Sequence, residues 1–426
     1  MRGFYVLFWW ALAWSAISTA YETFMATGSI FKWSLFMQMS DRGKELVVSD
    51  AAMILSCFVV VPLVKLVQYK VIPLKVAWIV NSVWLAVWFV TVVSWAYVAD
   101  WKWTQSGSFV IHCIAMLMKQ ASYLMSNVDN FWKVKEIPIL KREIELLSAE
   151  ITSPSVDDPT KAEDTKKALT AIETELAIFE GDLKGRVTGL EFPKNLTLFN
   201  FIDYMAIPCL VYEIEYPRTT TFRPFYFLMK VAGTLGTFFL LVFIVQHQII
   251  PVLEISTEIN FVTSIMRLIG PFMLCFLLVF FIIFEFICNA FAELTFFADR
   301  EFYEDWWNST TFDEYARRWN KPVHEFLLRH VYLENITTNK IPRYYSSLLT
   351  FFISSLFHEL VMAMTGKRLR PWLFLLQMFQ IPLIWMASLP FIKSNRTLGN
   401  VIFWGGMFLG PPLLGACYAR EHYLRP

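Results

Sequence analysis

Long apolar runs separated by short polar breaks dominate the hydrophobic pattern of this chain. Ten stretches have the composition of membrane-embedded helices: 4–21, 46–67, 76–98, 109–125, 199–214, 225–249, 265–290, 348–364, 372–388 and 401–418. Several approach or exceed eighteen residues, which points to a bilayer rather than to a soluble core. Stretches 109–125 and 199–214 are short or polar enough to be tilted, re-entrant or partly embedded. The pattern predicts an all-α polytopic membrane protein with eight to ten membrane helices. The first run follows Met1-Arg2-Gly3 and has no small-residue cleavage site, so it reads as a span rather than a removable signal.

Two segments break the pattern. Residues 130–193 are dense in charge, with a Pro- and Asp-containing loop at 153–159. Beyond that loop, Leu169, Ile172, Leu176 and Phe179 recur at helical intervals among Lys and Glu. This spacing predicts an amphipathic helix outside the membrane, packed on a partner helix. The second break, 299–345, combines charge with Trp, Tyr and His and lies between two strongly apolar runs. It is too aromatic for a solvated linker. The chain therefore divides into N-terminal membrane helices (1–129), a charged helical loop (130–198) and a C-terminal core (199–426) in which segment 299–345 precedes helix 348–364.

Composition supports a membrane setting. Hydrophobic residues make up 56% of the 426 and charged residues only 17%, where a soluble domain carries about a quarter charged. The net charge of +1 gives no signal for nucleic acid. Cys57, Cys113, Cys209, Cys275, Cys288 and Cys417 are scattered through mostly apolar stretches without metal-ligand spacing. They read as free thiols rather than as a disulfide frame or a zinc site.

The stretch 348–364 places His358 and Glu359 side by side inside an apolar helix. Ionisable groups there are costly and usually mark function. An HExxH zinc site is excluded, because Met362 stands where the second histidine belongs. No G-x-S-x-G elbow supports a serine nucleophile, although Ser354 and Ser355 lie one turn before His358. What remains is a histidine suited to taking a proton from an alcohol, with an amide such as Asn320 to orient it or to stabilise a developing oxyanion. A transporter that uses His358 and Glu359 as an ion site predicts inverted repeats or paired broken helices, and neither is visible.

Phe302-Tyr303-Glu304-Asp305-Trp306-Trp307-Asn308 resembles the FYxDWWN signature of the membrane-bound O-acyltransferase family, in its sterol and diacylglycerol acyltransferase branch. Tyr216-Pro217-Arg218-Thr219, Ala292-Glu293-Leu294-Thr295, Phe297-Ala298-Asp299-Arg300, Trp319-Asn320, Pro322-Val323-His324, Arg329-His330-Val331-Tyr332 and Phe357-His358-Glu359 follow the family's order. Upstream, Met118-Lys119-Gln120-Ala121-Ser122-Tyr123 is similar to an MKxHSY-type segment, with Ala121 where histidine is often found.

The resemblance implies about nine membrane helices around an intramembrane reaction chamber in the endoplasmic reticulum. Long-chain acyl-CoA would reach it from the cytosol as a substrate, with no cofactor and no metal, and a lipid alcohol would come from the bilayer. Carried over by position, His358 is the general base and Asn320 the second catalytic residue. Phe302, Tyr303, Asp305, Trp306, Trp307, Asn308, Arg317, Trp319, His324, Tyr332, Arg343 and Ser354 are implied to line the acyl-CoA region. Arg300, Arg317, Arg318, Arg329 and Arg343 supply positive charge for coenzyme A phosphates. Glu359 is expected to support His358. The motifs look most like fungal sterol O-acyltransferases, with diacylglycerol as the alternative acceptor, and relatives assemble as dimers or larger.

Overall fold

A computed structural model describes residues 2–30, 34–152, 159–256 and 258–423. Its described residues form no sheet beyond two isolated bridges. The main helices are α1 (Arg2–Thr27), α2 (Gly43–Gln68), α3 (Leu74–Val98), α4 (Trp103–Thr152), α5 (Pro159–Asp182), α6 (Leu198–Ala206), α7 (Pro224–Glu254) and α8 (Phe261–Leu294). They are followed by α9 (Phe312–Trp319), α10 (Lys321–Leu327), α11 (Arg343–Gly366), α12 (Trp372–Ala387) and α13 (Arg396–Tyr423).

Seven helices among the described residues are long and apolar enough to cross a membrane: α2, α3, α4, α7, α8, α11 and α13. The chain is a multi-pass membrane protein. The 26-residue α1 falls outside those seven, and α12 is a shorter apolar helix. Stretch 199–214 is not a span. Its helix, α6, has nine residues, about 14 Å, too short for a hydrocarbon core of ~30 Å. From Ile207 onward the stretch is irregular chain tucked into the protein. Phe201, Tyr204 and Tyr212 are at most 1% exposed. The apolar run here buries side chains against protein instead of lipid.

Beyond its loop the charged segment is a helix, α5, packed on a partner helix, as the spacing predicts. α4 continues for 50 residues, well beyond a bilayer, and α5 packs back along it. Phe179 is buried against Trp132, and Lys133 bridges Asp129 and Asp182 at 2.8 Å. The division at residue 130 therefore falls inside one continuous helix. The loop at 153–159 lies almost wholly outside the described residues.

Lipid tails are as apolar as leucine, so close contact rather than hydrophobic burial joins helices in the membrane. Two glycines show this. A Cβ on Gly107 of α4 would lie 2.8 Å from Thr365 Oγ1 of α11, and one on Gly406 of α13 would lie 2.5 Å from the Phe312 ring. Beside the first contact, Lys367 Nζ donates to the carbonyls of Ala96 (3.3 Å) and Tyr97 (3.1 Å), at the end of α3 just before α4 begins. The end of α11 thus meets the start of α4, and the two helices run antiparallel. Among the described residues, three stretches are π-helical: Val245–Ile249 in α7, Phe281–Ile287 in α8, and Leu328–Leu333 after α10.

Candidate active site

His358 sits seven residues, close to two turns, before Thr365, on the face of α11 that meets α4. Its Nδ1–H donates to the Ser354 carbonyl at 2.8 Å. That bond fixes the tautomer and leaves the Nε2 lone pair, which has no protein partner among the described residues, as a proton acceptor. The side chain is exposed although it lies mid-helix, so a small molecule can reach it.

One residue on, the chain turns by about 100° and the surroundings change. Glu359 is only 4% exposed and looks away from His358. Its carboxylate accepts the Phe374 N–H at 3.0 Å and the Tyr418 hydroxyl at 3.1 Å. Tyr418 in turn accepts the Leu373 N–H at 3.3 Å. Leu373 and Phe374 are in the first turn of α12, where backbone N–H groups have no intrahelical acceptor. Glu359 therefore caps α12 and ties α11 to α12 and α13. Among the described residues it has no hydrogen bond to the imidazole.

The signature segment and Asn320 are built as one unit. Glu304 N–H donates to the Arg318 carbonyl at 2.9 Å, and Lys321 N–H to the Phe302 carbonyl at 3.1 Å. These two bonds bracket Trp319-Asn320. Phe302 (3% exposed) and Trp306 (2% exposed) are core residues. Trp319 packs edge-on against Trp306, with ring centroids 4.8 Å apart, and stacks on Phe276 of α8 at 4.6 Å. On the other side, the Trp307 carbonyl accepts Asn400 Nδ2 (3.1 Å) and Trp404 Nε1 (3.0 Å) from α13. Asp305 and Asn308 are exposed. Asn320 is the N-cap of α10, its Oδ1 accepting the Val323 N–H at 3.2 Å. The cap commits the acceptor end of the amide and leaves Nδ2 to donate.

The profile of the membrane-bound O-acyltransferase family, MBOAT, matches residues 23–420. The chain belongs to this family. It is 32% identical to the probable sterol O-acyltransferase 1 of Schizosaccharomyces pombe, over 98% of this chain and 81% of that protein. It is also 32% identical to the sterol O-acyltransferase 2 of Candida albicans, over 98% of this chain and 74% of that protein. The diacylglycerol O-acyltransferase 1 of Dictyostelium discoideum is 35% identical over only 55% of this chain and 38% of its own length.

In this MBOAT O-acyltransferase the remaining predicted residues lie on α9, α10, the π-helical stretch after α10, and α11. Ser354 holds the His358 tautomer through its carbonyl. Arg317 is exposed and paired with Asp313 at 2.7 Å. His324 is half-buried on α10, and burial, helped by the Arg317 charge, lowers its pKa. Tyr332 is half-buried in the π-helical stretch after α10. Arg343 opens α11, exposed and without a protein partner among the described residues. Of the basic supply, Arg300 is paired with Glu293 at 2.7 Å and Arg329 with Glu213 at 2.6 Å.

Several polar residues escaped the sequence reading. Tyr303 donates to Glu285 at 2.9 Å, and Glu285 pairs with Lys230 at 2.6 Å, so an intramembrane ion pair anchors the signature to α7 and α8. A lone Lys and a lone Glu in two apolar runs were the available signal. The segment containing Ala121 is a lock. Lys119 Nζ donates to the carbonyls of Tyr204 and Ile207, both at 2.7 Å, and Ser122 Oγ accepts the Tyr212 N–H at 2.8 Å. That leaves the Ser122 hydroxyl hydrogen for His330 Nε2, 2.7 Å away. Burial, with Arg329 adjacent, lowers the His330 pKa to about 4, in keeping with a neutral acceptor.

Proposed function

We propose that this O-acyltransferase moves a long-chain acyl group from acyl-CoA to the 3-hydroxyl of a sterol in the endoplasmic reticulum membrane. The observation that carries the chemistry is the Nδ1–H bond from His358 to Ser354, which leaves Nε2 free to accept a proton. Nε2 takes the proton of the sterol hydroxyl as its oxygen attacks the thioester carbonyl. Asn320 Nδ2 donates to the oxyanion of the tetrahedral intermediate, its amide held by the cap on α10. Collapse breaks the C–S bond, and the imidazolium proton leaves with the thiolate as free CoA. No covalent acyl-enzyme forms.

Trp307, Trp319, His324, Tyr332, Asp305, Asn308, Arg317 and Arg343 line the acyl-CoA path in this reading. Tyr303, and the buried Phe302 and Trp306, set the wall behind it. Segment 299–345 and α11 form the catalytic unit, and the α4–α5 hairpin projects from it. The working assembly is a homodimer or larger, a point that native mass spectrometry in mild detergent addresses directly.

Sterol is preferred over diacylglycerol because the two sterol acyltransferase relatives match along 98% of this chain, whereas the diacylglycerol acyltransferase matches 55%. Purified protein supplied with radiolabelled oleoyl-CoA and each acceptor in turn is expected to form sterol ester as the dominant product. Triacylglycerol as the dominant product would overturn the acceptor assignment.

A further inference from the structure

One pair of ionisable groups in the membrane helices has no part in the proposed mechanism. His112 of α4 and Asp50 of α2 are joined by an Nδ1–Oδ1 hydrogen bond of 2.6 Å, and their side chains are 36% and 32% exposed. They are not sealed in protein, as Lys119 and Glu359 are. A carboxylate can only accept, so Nδ1 carries the hydrogen. Nε2 has no protein partner among the described residues. Whether it bears a lone pair or a hydrogen, Nε2 offers one hydrogen-bonding position, and a hydroxyl can satisfy it either way.

The depth of the pair is set by the antiparallel packing of α4 and α11. Gly107 and Thr365 mark a common level. His112 lies five residues from Gly107, about 8 Å along α4, and His358 lies seven from Thr365, about 10 Å along α11. Both displacements run the same way, so the two imidazoles sit at nearly the same depth in the bilayer. Around α4, His112 points about 140° away from the face that meets α11. The arc between them is occupied by Ser108 and Ile111, both exposed, the latter at 54%. An exposed path around one helix thus joins the His112 imidazole to the proton-accepting one at about equal depth.

We propose that Asp50–His112 is an access site for the acceptor lipid, binding its lone hydroxyl at the depth required for delivery to His358. The proposal rests on the sterol reading of the acceptor. Asp50 acts as a positioning residue that aims the ring, and His112 touches the hydroxyl.

The test uses the full chain in lipid nanodiscs, with cholesterol and oleoyl-CoA varied separately. His112→Ala is expected to lower kcat/KM for cholesterol about tenfold, the loss of one hydrogen bond, while KM for oleoyl-CoA stays within about twofold. Asp50→Asn should fall in the same direction. His112→Gln, whose amide still meets a hydroxyl, should recover most of the loss. On a His358→Ala background, adding His112→Ala should weaken equilibrium binding of radiolabelled cholesterol but not of cholest-5-ene, which lacks the hydroxyl. Unchanged cholesterol kinetics in folded His112→Ala, or equal losses for both substrates, would overturn the site. If His112→Ala does not fold, His112→Phe, which keeps the bulk without a hydrogen-bonding atom, decides through its binding ratio of cholesterol to cholest-5-ene: a ratio equal to that of wild type overturns the site. Wild-type protein that esterifies diacylglycerol and not cholesterol would overturn the acceptor reading instead.

Discussion

Glu359 offers a sharp test, because its neighbour His358 is the proposed base and a supporting role is the obvious guess. Replacing Glu359 by Leu removes the acceptor for one backbone N–H, that of Phe374, at a part-buried helix end. Tyr418 keeps an acceptor, the Arg370 carbonyl at 2.8 Å, so only one donor is orphaned. An unsatisfied buried amide costs about 1–3 kcal/mol, and loss of the carboxylate near the α12 N-terminus adds a few tenths. The expected destabilisation is about 2 kcal/mol. Glu359→Gln keeps an oxygen in place and should cost under ~1 kcal/mol while leaving kcat/KM within about threefold of wild type. Reversible SDS unfolding of reconstituted protein reads the first quantity, and CoA release with sterol ester formation reads the second. The reasoning fails if Glu359→Gln is as inactive as a His358 variant at unchanged stability, since the carboxylate would then act on the imidazole.

The same geometry sets other outcomes. His358→Ala should insert and fold but lose about 10²–10⁴ in turnover, near 3–5 kcal/mol of barrier, with partial rescue by added imidazole because the site is open; near-normal turnover removes His358 from the mechanism. Asn320→Ala should lower kcat more than it raises KM for acyl-CoA, and a pure KM effect would place Asn320 in the substrate path instead. His330 has its folded pKa lowered to about 4 from 6.5, so the unfolded chain takes its proton first. Stability is full above pH ~6.5 and falls by up to about 3 kcal/mol toward pH 4, and His330→Gln should flatten that dependence. Gly406→Val drives a methyl into the Phe312 ring and should cost about 1–3 kcal/mol in unfolding, whereas Gly405→Val, with nothing within 4 Å of its Cβ, should cost less.

The membrane architecture was readable because long apolar runs have few other uses. Stretch 199–214 misled for a definite reason: hydropathy cannot tell lipid from protein as the apolar neighbour, and Tyr204 and Tyr212 are covered by Tyr123 and Lys119 of α4. The signature was legible as a motif. That Phe302 and Trp306 face inward while Asp305 and Asn308 face outward required coordinates, because a single 3₁₀ turn has no periodicity to read. His358 and Glu359 were visible as a costly pair, but adjacency in sequence suggested a partnership that the helix turn separates. The anchors of the signature, Lys230 with Glu285 and Asn400 with Trp404, come from helices distant along the chain, and single-sequence spacing carries no information about such pairings.

The three π-helical stretches have a consequence for how this chain tolerates change. Each accommodates one residue more than the α-helical turn it replaces, and so acts as a phase shifter for everything beyond it. Two of them carry a residue whose azimuth matters: Glu285, which receives Tyr303, and His330, which receives Ser122. Deleting a single residue there would heal the helix and leave the rest of it near its present azimuth, because the wider turn already absorbs the extra residue, whereas the same deletion in an α-helical turn would swing the rest by about 100°. Hydropathy and length would hardly register the loss. A one-residue deletion at these points therefore spares the helix beyond, and what it endangers is the aim of Glu285 or His330 inside the wide turn itself.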